Sequence, residues 1–242
     1  MSENIHAAQI NPRHRSKTMS LKEQLAEFRA GWQKRVPAER KTAMQRHINQ
    51  LRDSALARTM LKAGARAPAI VLRNARGETV DVAALLKSGP VIVTFYRGGW
   101  CPYCNLELKA FQEVLPEIRA IGASLVAISP EKPDETLSTV EKDALTFEVL
   151  SDVDQKVGRA FGLVYEFTEE LKGVYREFGL DIPARNGAMD EWALPVSATY
   201  VIAPNGSIVF SYTDVDYRDR ADPRDILEFL VKEKSLTVQS VS

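Results

Sequence analysis

The run Val91-Ile92-Val93-Thr94-Phe95-Tyr96-Arg97-Gly98-Gly99-Trp100-Cys101-Pro102-Tyr103-Cys104 decides how this chain is read. Its first six residues are apolar, aromatic or β-branched, the mark of a strand buried on both faces. Two glycines end the run. Residues 101–119 then carry Phe111, Val114, Leu115 and Ile118 at helical spacing. Pro102 suits the first turn of that helix, where its missing N–H is not needed. Cys101 and Cys104 are the two cysteines of the 242-residue sequence. Three residues apart at a helix start, they can close a tight disulfide and open it again. Strand, CxxC and amphipathic helix, in that order, point to a redox site.

Outward from this segment the chain alternates strands and helices, the pattern of an α/β sheet. Leu125–Ile128 and Phe147–Leu150 read as strands, with helices at 134–144 and 154–161. Thr199–Ile202 and Ser207–Tyr212 read as a hairpin across Pro204-Asn205-Gly206, and Ile226, Leu227, Leu230 and Val231 mark a last helix. Upstream, Ala69–Leu72 and Thr79–Val82 form short strands around the turn at 74–77. The stretch 165–195 is too long for a simple connection. It holds Tyr165, Phe167, Tyr175, Phe178 and Trp192, so it reads as a folded insertion. Two roles fit it: a lid over the cysteines, or a peripheral helix with its own small core.

Residues 1–18 are polar, carry Arg13, Arg15 and Lys17, and read as a disordered tail. Residues 19–62 read as an N-terminal helical extension, followed by the α/β domain at 63–235. Leu21, Leu25, Phe28 and Trp32 recur at helical spacing; Pro37 breaks the pattern. A second helix places Met44, Ile48, Leu51, Ala55 and Leu56 on one face. Such a face packs on the domain or on a second subunit, which suits a homodimer. His47 interrupts it and reads as a surface or boundary histidine.

Lys plus Arg and Asp plus Glu each number 32, so the formal net charge is zero. No long-range field then recruits nucleic acid or an anionic membrane. No apolar stretch approaches the roughly 20 residues that span a bilayer, and the N-terminus lacks a secretory apolar core. A reducing, cytoplasmic compartment is the expectation, and there a CxxC is catalytic or metal-binding more often than structural. Structural zinc takes about four Cys or His ligands. His6, His14 and His47 all lie in the N-terminal region and no second CxxC exists, so no metal is expected. No phosphate-binding glycine loop, zinc-protease motif or serine elbow appears, and no cofactor is expected.

A thiol must ionise before it attacks a peroxide or a disulfide. The free N–H groups and dipole of a helix N-terminus favour the thiolate. Arg97, four residues before Cys101, adds positive charge if it turns inward; the alternative is a solvent-facing arginine.

These residues also carry a family resemblance. The segment from Phe95 to Leu108 resembles the active-site segment of peroxiredoxin-like proteins, in the alkyl hydroperoxide reductase/thiol-specific antioxidant branch of the thioredoxin superfamily. The resemblance runs from about Gly64 to Leu230 and takes in Ala127-Ile128-Ser129-Pro130, Leu150-Ser151-Asp152 and Phe161-Gly162-Leu163. It implies a thioredoxin-like fold, with a central mixed sheet flanked by helices, to which the N-terminal extension is added. It implies a thiol-dependent peroxidase acting on hydrogen peroxide or alkyl hydroperoxides. Cys101 and Cys104 would be catalytic, with Arg97 and Trp100 in support. The implied partners are the peroxide and a thioredoxin- or glutaredoxin-type reductant or small thiol.

Two features depart from the family. The pattern Pro-x-x-x-Thr/Ser-x-x-Cys, laid on this chain without gaps, puts the attacking cysteine at Cys104, Cys101 at the Thr/Ser position and Arg97 at the proline. The thioredoxin pattern Trp-Cys-x-x-Cys instead makes Cys101 the attacker, which also reads as the more exposed thiol. Before the strand at 199–202, the place of a cis-proline or arginine falls on Ser197, with Pro195 read as a loop proline. The charged run 214–220 could supply an ionic partner to the active-site loop, but reads first as a solvated turn with local ion pairs. Two other functions fit the composite motif: a protein disulfide oxidoreductase of thioredoxin type, and a non-enzymatic redox-sensing module.

Overall fold

The computed structural model describes residues 19–187 and 191–239; the tail read at 1–18 lies outside them. The chain opens with helices α1 (Leu21–Arg35), α2 (Ala38–Asp53) and α3 (Leu56–Thr59). Strands β1 (Val71–Asn74) and β2 (Thr79–Asp81), helix α4 (Val82–Leu86), strand β3 (Val91–Phe95) and helix α5 (Pro102–Ala120) follow. Then come β4 (Ser124–Ser129), α6 (Pro133–Asp143), β5 (Glu148–Ser151) and α7 (Lys156–Ala160). The insertion holds β6 (Val164–Glu166), α8 (Glu169–Glu177), α9 (Ile182–Asn186) and β7 (Ala193–Pro195). Strands β8 (Ala198–Ile202) and β9 (Ile208–Thr213) and helix α10 (Pro223–Gln239) end the described chain.

Seven strands form one mixed sheet in the order β2-β1-β5-β4-β3-β8-β9. Strand β3 lies parallel to β4 and antiparallel to β8, so its pairing is complete on both sides. All five of its residues are buried, as the unbroken apolar run requires. Side chains alternate along a strand, and β3 divides two cores accordingly. Val91, Val93 and Phe95 join one with α2 and the insertion; Ile92 and Tyr96 join the other with α1, α5 and α10. Thr94 lies between Ile92 and Tyr96 and so faces α5. That single alternation places a hydroxyl beneath the CxxC helix.

The expected strands, helices and hairpin are present within a few residues. Helix α4 was not expected; Asp81 ends β2 and caps it, its side chain accepting from the Ala83 N–H. Helix α1 starts in a full capping box between Ser20 and Glu23. The faces expected on α1 and α2 are buried within this chain: Leu21 and Leu25 against α5, and Met44, Ile48 and Leu51 in the other core. Three readings need correction. His47 is buried, because α2 lays it against Tyr165 and Phe167 at ring distances of 5.3 and 6.3 Å. Pro195 is a strand residue, paired with Val164 in the two-stranded β6–β7 sheet. The run 214–220 is a packed segment in which Asp216, Arg218 and Arg220 are buried. No described helix is long and apolar enough to cross a membrane.

Candidate active site

The site sits where β3 ends and α5 begins. Tyr96 still pairs with the sheet, its N–H donating to the Ile128 carbonyl at 2.9 Å. Gly98 then takes a φ of +146°. A Cβ on Gly98 would stand 2.4 Å from Trp100 Nε1, and one on Gly99 would stand 2.0 Å from Thr139 Oγ1. Only glycine fits either position. The Gly99 N–H donates to Glu131 Oε2 at 2.7 Å, and its carbonyl accepts from Asn105 Nδ2 at 2.9 Å. This turn delivers Cys101 as the extended N-cap of α5, with Pro102 in the first turn. Cys104 follows one turn deeper.

Both thiols are free and both are buried, Cys101 to 1% exposure and Cys104 to none. Cys101 is therefore not an exposed thiol, and exposure does not separate the pair. Charge does. Arg97 is 2% exposed and donates through Nη1 toward Cys101 Sγ at 3.8 Å. Its guanidinium lies over the rings of Tyr217, Trp100 and Tyr175, at 4.1, 4.9 and 5.6 Å from their centroids. Ring faces take the place of a carboxylate in holding this buried cation. The solvent-facing alternative is thereby excluded.

A second arginine comes from the far end of the chain. Arg220 Nη2 approaches Cys104 Sγ at 3.5 Å. Its Nε donates to Glu107 Oε2 at 2.8 Å, and Nη1 donates to the carbonyls of Tyr217 and Asp219. Glu107 lies one turn beyond Cys104 and is wholly buried. Its other oxygen stands 3.5 Å from the Thr94 and Thr199 hydroxyls, which reach it from β3 and β8.

Burial is the largest influence on Cys101 and pushes its pKa up. The hydrogen bond with Cys104 and the charges of Arg97 and Arg220 together outweigh it and bring Cys101 down to about 6. Cys104 moves the opposite way, raised by burial and by the neighbouring Cys101 sulfur. Two thiols this close share one negative charge, and the helix N-cap is where it rests. Burial pushes the Glu107 carboxyl up to about 7 despite Arg220. Burial also raises Glu131 to about 7, against the pull of the Gly99 N–H.

The structure thus brings together all four residues singled out in sequence: Cys101, Cys104, Arg97 and Trp100. Sequence reasoning gives no role to Glu107 or Glu131; Arg220 and Tyr217 lie in the charged run for which an ionic partner to the active-site loop is the lesser reading, and Tyr175 in the insertion for which a lid is one of two roles. A Glu one turn after Cys104, on the helix face that carries Leu108 and Phe111, was a legible signal for a buried carboxylate. Of the two roles for the insertion, the structure seats it on the site: Tyr175 of α8 meets Trp100 edge-on at 5.7 Å. Ser197 is buried before β8 with no hydrogen-bond partner for its hydroxyl among the described residues.

A central strand running through a CxxC into a helix N-terminus, within this mixed sheet, defines an oxidoreductase of the thioredoxin-like fold. The sequence model of the AhpC/TSA family matches residues 63–211. A Mycobacterium tuberculosis protein named as a peroxiredoxin is 34% identical over 121 residues, covering 49% of this chain and 76% of its own. Peroxiredoxin Bcp of Escherichia coli K12 is 32% identical over 103 residues, covering 43% of this chain and 65% of its own. Among solved structures, peroxiredoxin Q of Xanthomonas campestris shares the fold with a TM-score of 0.55 at 20% identity, over 70% of this chain and 97% of that one. The chain belongs to the AhpC/TSA family, whose peroxiredoxins are thiol-dependent peroxidases.

Proposed function

We propose that this protein reduces hydrogen peroxide or alkyl hydroperoxides through Cys101 and Cys104, with Cys101 as the attacking thiol. The observation that carries the reading is the pairing of each sulfur with its own buried arginine, Arg97 at Cys101 and Arg220 at Cys104. The Cys101 thiolate attacks one peroxide oxygen. The O–O bond breaks, the sulfur becomes a sulfenic acid, and the departing alkoxide or hydroxide takes a proton and leaves as alcohol or water. The arginines hold positive charge where that anion develops. Cys104, one helical turn away, then attacks the Cys101 sulfur. Its thiol proton leaves with the hydroxyl as water, and an intramolecular disulfide forms. Two thiols of a reductant reopen it by exchange.

Stopped-flow oxidation of the reduced protein by hydrogen peroxide, followed through Trp100 fluorescence, tests the reading. Oxidation much faster than that of a free thiol is expected. Cys101→Ser should abolish it, while Cys104→Ser should keep the first step and lose the disulfide. If Cys104→Ser alone abolishes the fast step, the order is reversed, as the gapless family register has it. If the wild type reacts no faster than a free thiol, the peroxidase reading fails.

A further inference from the structure

Residues 214–222 join β9 to α10 and have no regular secondary structure. They lie beyond the part of the chain that the family model matches. An irregular segment keeps one conformation only where side chains fix it, because ordering its backbone costs entropy. Asp216 is the anchor here. Its carboxylate accepts from the Arg218 N–H at 3.1 Å, from Nε at 2.6 Å and from Nη2 at 2.5 Å. Asp216 is 2% exposed and Arg218 7%.

The pair is held in turn by α2, which precedes the matched segment. Gln45 Oε1 accepts from Arg218 Nη2 at 2.8 Å, and Arg52 Nη2 stands 3.6 Å from Asp216 Oδ2. Gln45 and Arg52 are about two turns apart, so one face of α2 presents both. Helix α1 adds a tie at the far end, where the Leu21 N–H donates to Asp222 Oδ2 at 3.2 Å.

Between Asp216 and Arg218, Tyr217 packs on the site. Its ring is the nearest of the three that bear the Arg97 guanidinium, at 4.1 Å. It meets Tyr103 edge-on at 5.6 Å, and Phe28 of α1 meets Tyr103 at 5.0 Å. Arg220 donates through Nη1 to the carbonyls of Tyr217 and Asp219, so the backbone of the segment aims its guanidinium. The charged groups acting on the pair are Arg97, Arg220, Glu107 and Glu131. Both cations depend on this segment: Arg220 belongs to it, and Arg97 packs on its tyrosine.

We propose that the segment 214–222 is a positioning element for the thiol pair, clamped by α2, in which Asp216, Arg218 and Gln45 keep Arg220 at Cys104 and Tyr217 against Arg97. The N-terminal extension thereby serves the chemistry without touching the sulfurs. The proposal deepens the peroxidase reading and rests on it for the use made of the thiolate, but not for the placing of the charges.

The sign of one substitution separates this role from simple electrostatics. Burial pushes the Asp216 carboxyl up, but the hydrogen bonds and charge of Arg218 bring it below the ordinary carboxylate range, so it is an anion at neutral pH. Removing a nearby anion, with nothing else changed, favours a thiolate and lowers the thiol midpoint. Freeing the segment instead withdraws Arg220 and loosens Arg97, which raises the midpoint.

The midpoint is read from the ultraviolet absorbance of the thiolate across pH in the reduced full chain. The double variant Cys101→Ser with Cys104→Ser is the blank. No reagent has to reach the sulfurs. Asp216→Ala should raise the midpoint by about one pH unit. Gln45→Ala, which changes no charge, should move it in the same direction. It carries the test if circular dichroism shows that Asp216→Ala does not fold. A midpoint that falls or stays in a folded variant overturns the proposal. A wild type with a lowered midpoint that reacts with peroxide no faster than a free thiol removes the peroxidase reading alone, and leaves the positioning role standing.

Discussion

Arg220 Nη2 stands 3.5 Å from Cys104 Sγ, joining residues 116 apart in sequence. The same guanidinium holds Glu107 through Nε at 2.8 Å. Thiol, cation and carboxylate thus form one buried group on the first two turns of α5. Its members depend on one another, because a buried charge without its partner is strongly destabilising.

That dependence is measurable at pH 8, above the raised pKa of Glu107 at about 7. Glu107→Leu leaves Arg220 unpaired, and Arg220→Met leaves Glu107 unpaired. Each single variant should lose about 3–5 kcal/mol in urea denaturation. The double variant should lose less than the sum, since no unpaired charge remains. Additive losses would mean that the two side chains do not act as a pair.

The reactivity of the reduced protein should follow the Cys101 thiolate. Its pKa of about 6 means the thiolate predominates at pH 7 and declines as pH falls through that value. Carbamidomethylation rates should therefore be flat above neutrality and fall about tenfold per pH unit well below the midpoint. Arg97→Gln removes one of the charges that lower the pKa, so the midpoint should rise toward the ordinary thiol range. A midpoint unchanged in that variant would show that Arg97 does not govern the thiol.

Gly99→Ala tests the turn that delivers Cys101. The added Cβ would lie 2.0 Å from Thr139 Oγ1 and 3.2 Å from its Cβ. Thr139 is held within α6, so the turn must move and carry Trp100 and Cys101 with it. The variant should lose about 1–3 kcal/mol, the usual cost of overpacking, and should shift the Trp100 emission. Gly99→Ala paired with Thr139→Gly should recover most of both. Failure of the second substitution to recover either would place the strain elsewhere.

His47 predicts an acid sensitivity. Burial, aided by the Arg97 charge, lowers its pKa from 6.5 to about 4. Between those values the unfolded chain binds a proton that the folded chain does not. The stability tied to the neutral ring is therefore fully present above pH 6.5 and is lost as pH falls toward 4. His47→Leu should flatten that part of the urea-stability profile while leaving the value at pH 8 equal or higher, because both ring nitrogens lack partners among the described residues. An unchanged slope between pH 6.5 and 4 would rule His47 out as its source.

The sheet was legible because its signals are local. Val91 to Tyr96 reads as a buried strand from composition alone, and Pro204-Asn205-Gly206 marks the β8–β9 turn by its chemistry. The segment 214–220 misled for the same reason. Asp216, Tyr217, Arg218 and Arg220 look like a solvated run when counted along the chain. In the fold, Tyr217 lies under Arg97, Arg218 bonds to Gln45 and Arg220 enters the core beside Glu107. Asp216 and Arg218 pair within the run, the local ion pair its composition suggested, but Arg220 is received by Glu107 of α5 and Arg218 also by Gln45 of α2, so other elements bury them. His47 misled likewise: its helix face was read correctly, but the insertion that covers it begins more than 100 residues later.

By itself the sequence determined the strand, the tight glycine turn and a helix whose first turn carries both cysteines. Strand burial, glycine freedom, proline placement and the three-residue spacing act within about 20 residues of chain, so they need no tertiary partner to be read. Tertiary structure alone decided which charges and rings surround the two thiols. Arg220 arrives from beyond β9, Tyr175 from the insertion and Phe28 from α1. Electrostatic and steric effects of this kind depend on distance in space, burial and the absence of water, and none of these is a property of a residue's position along the chain.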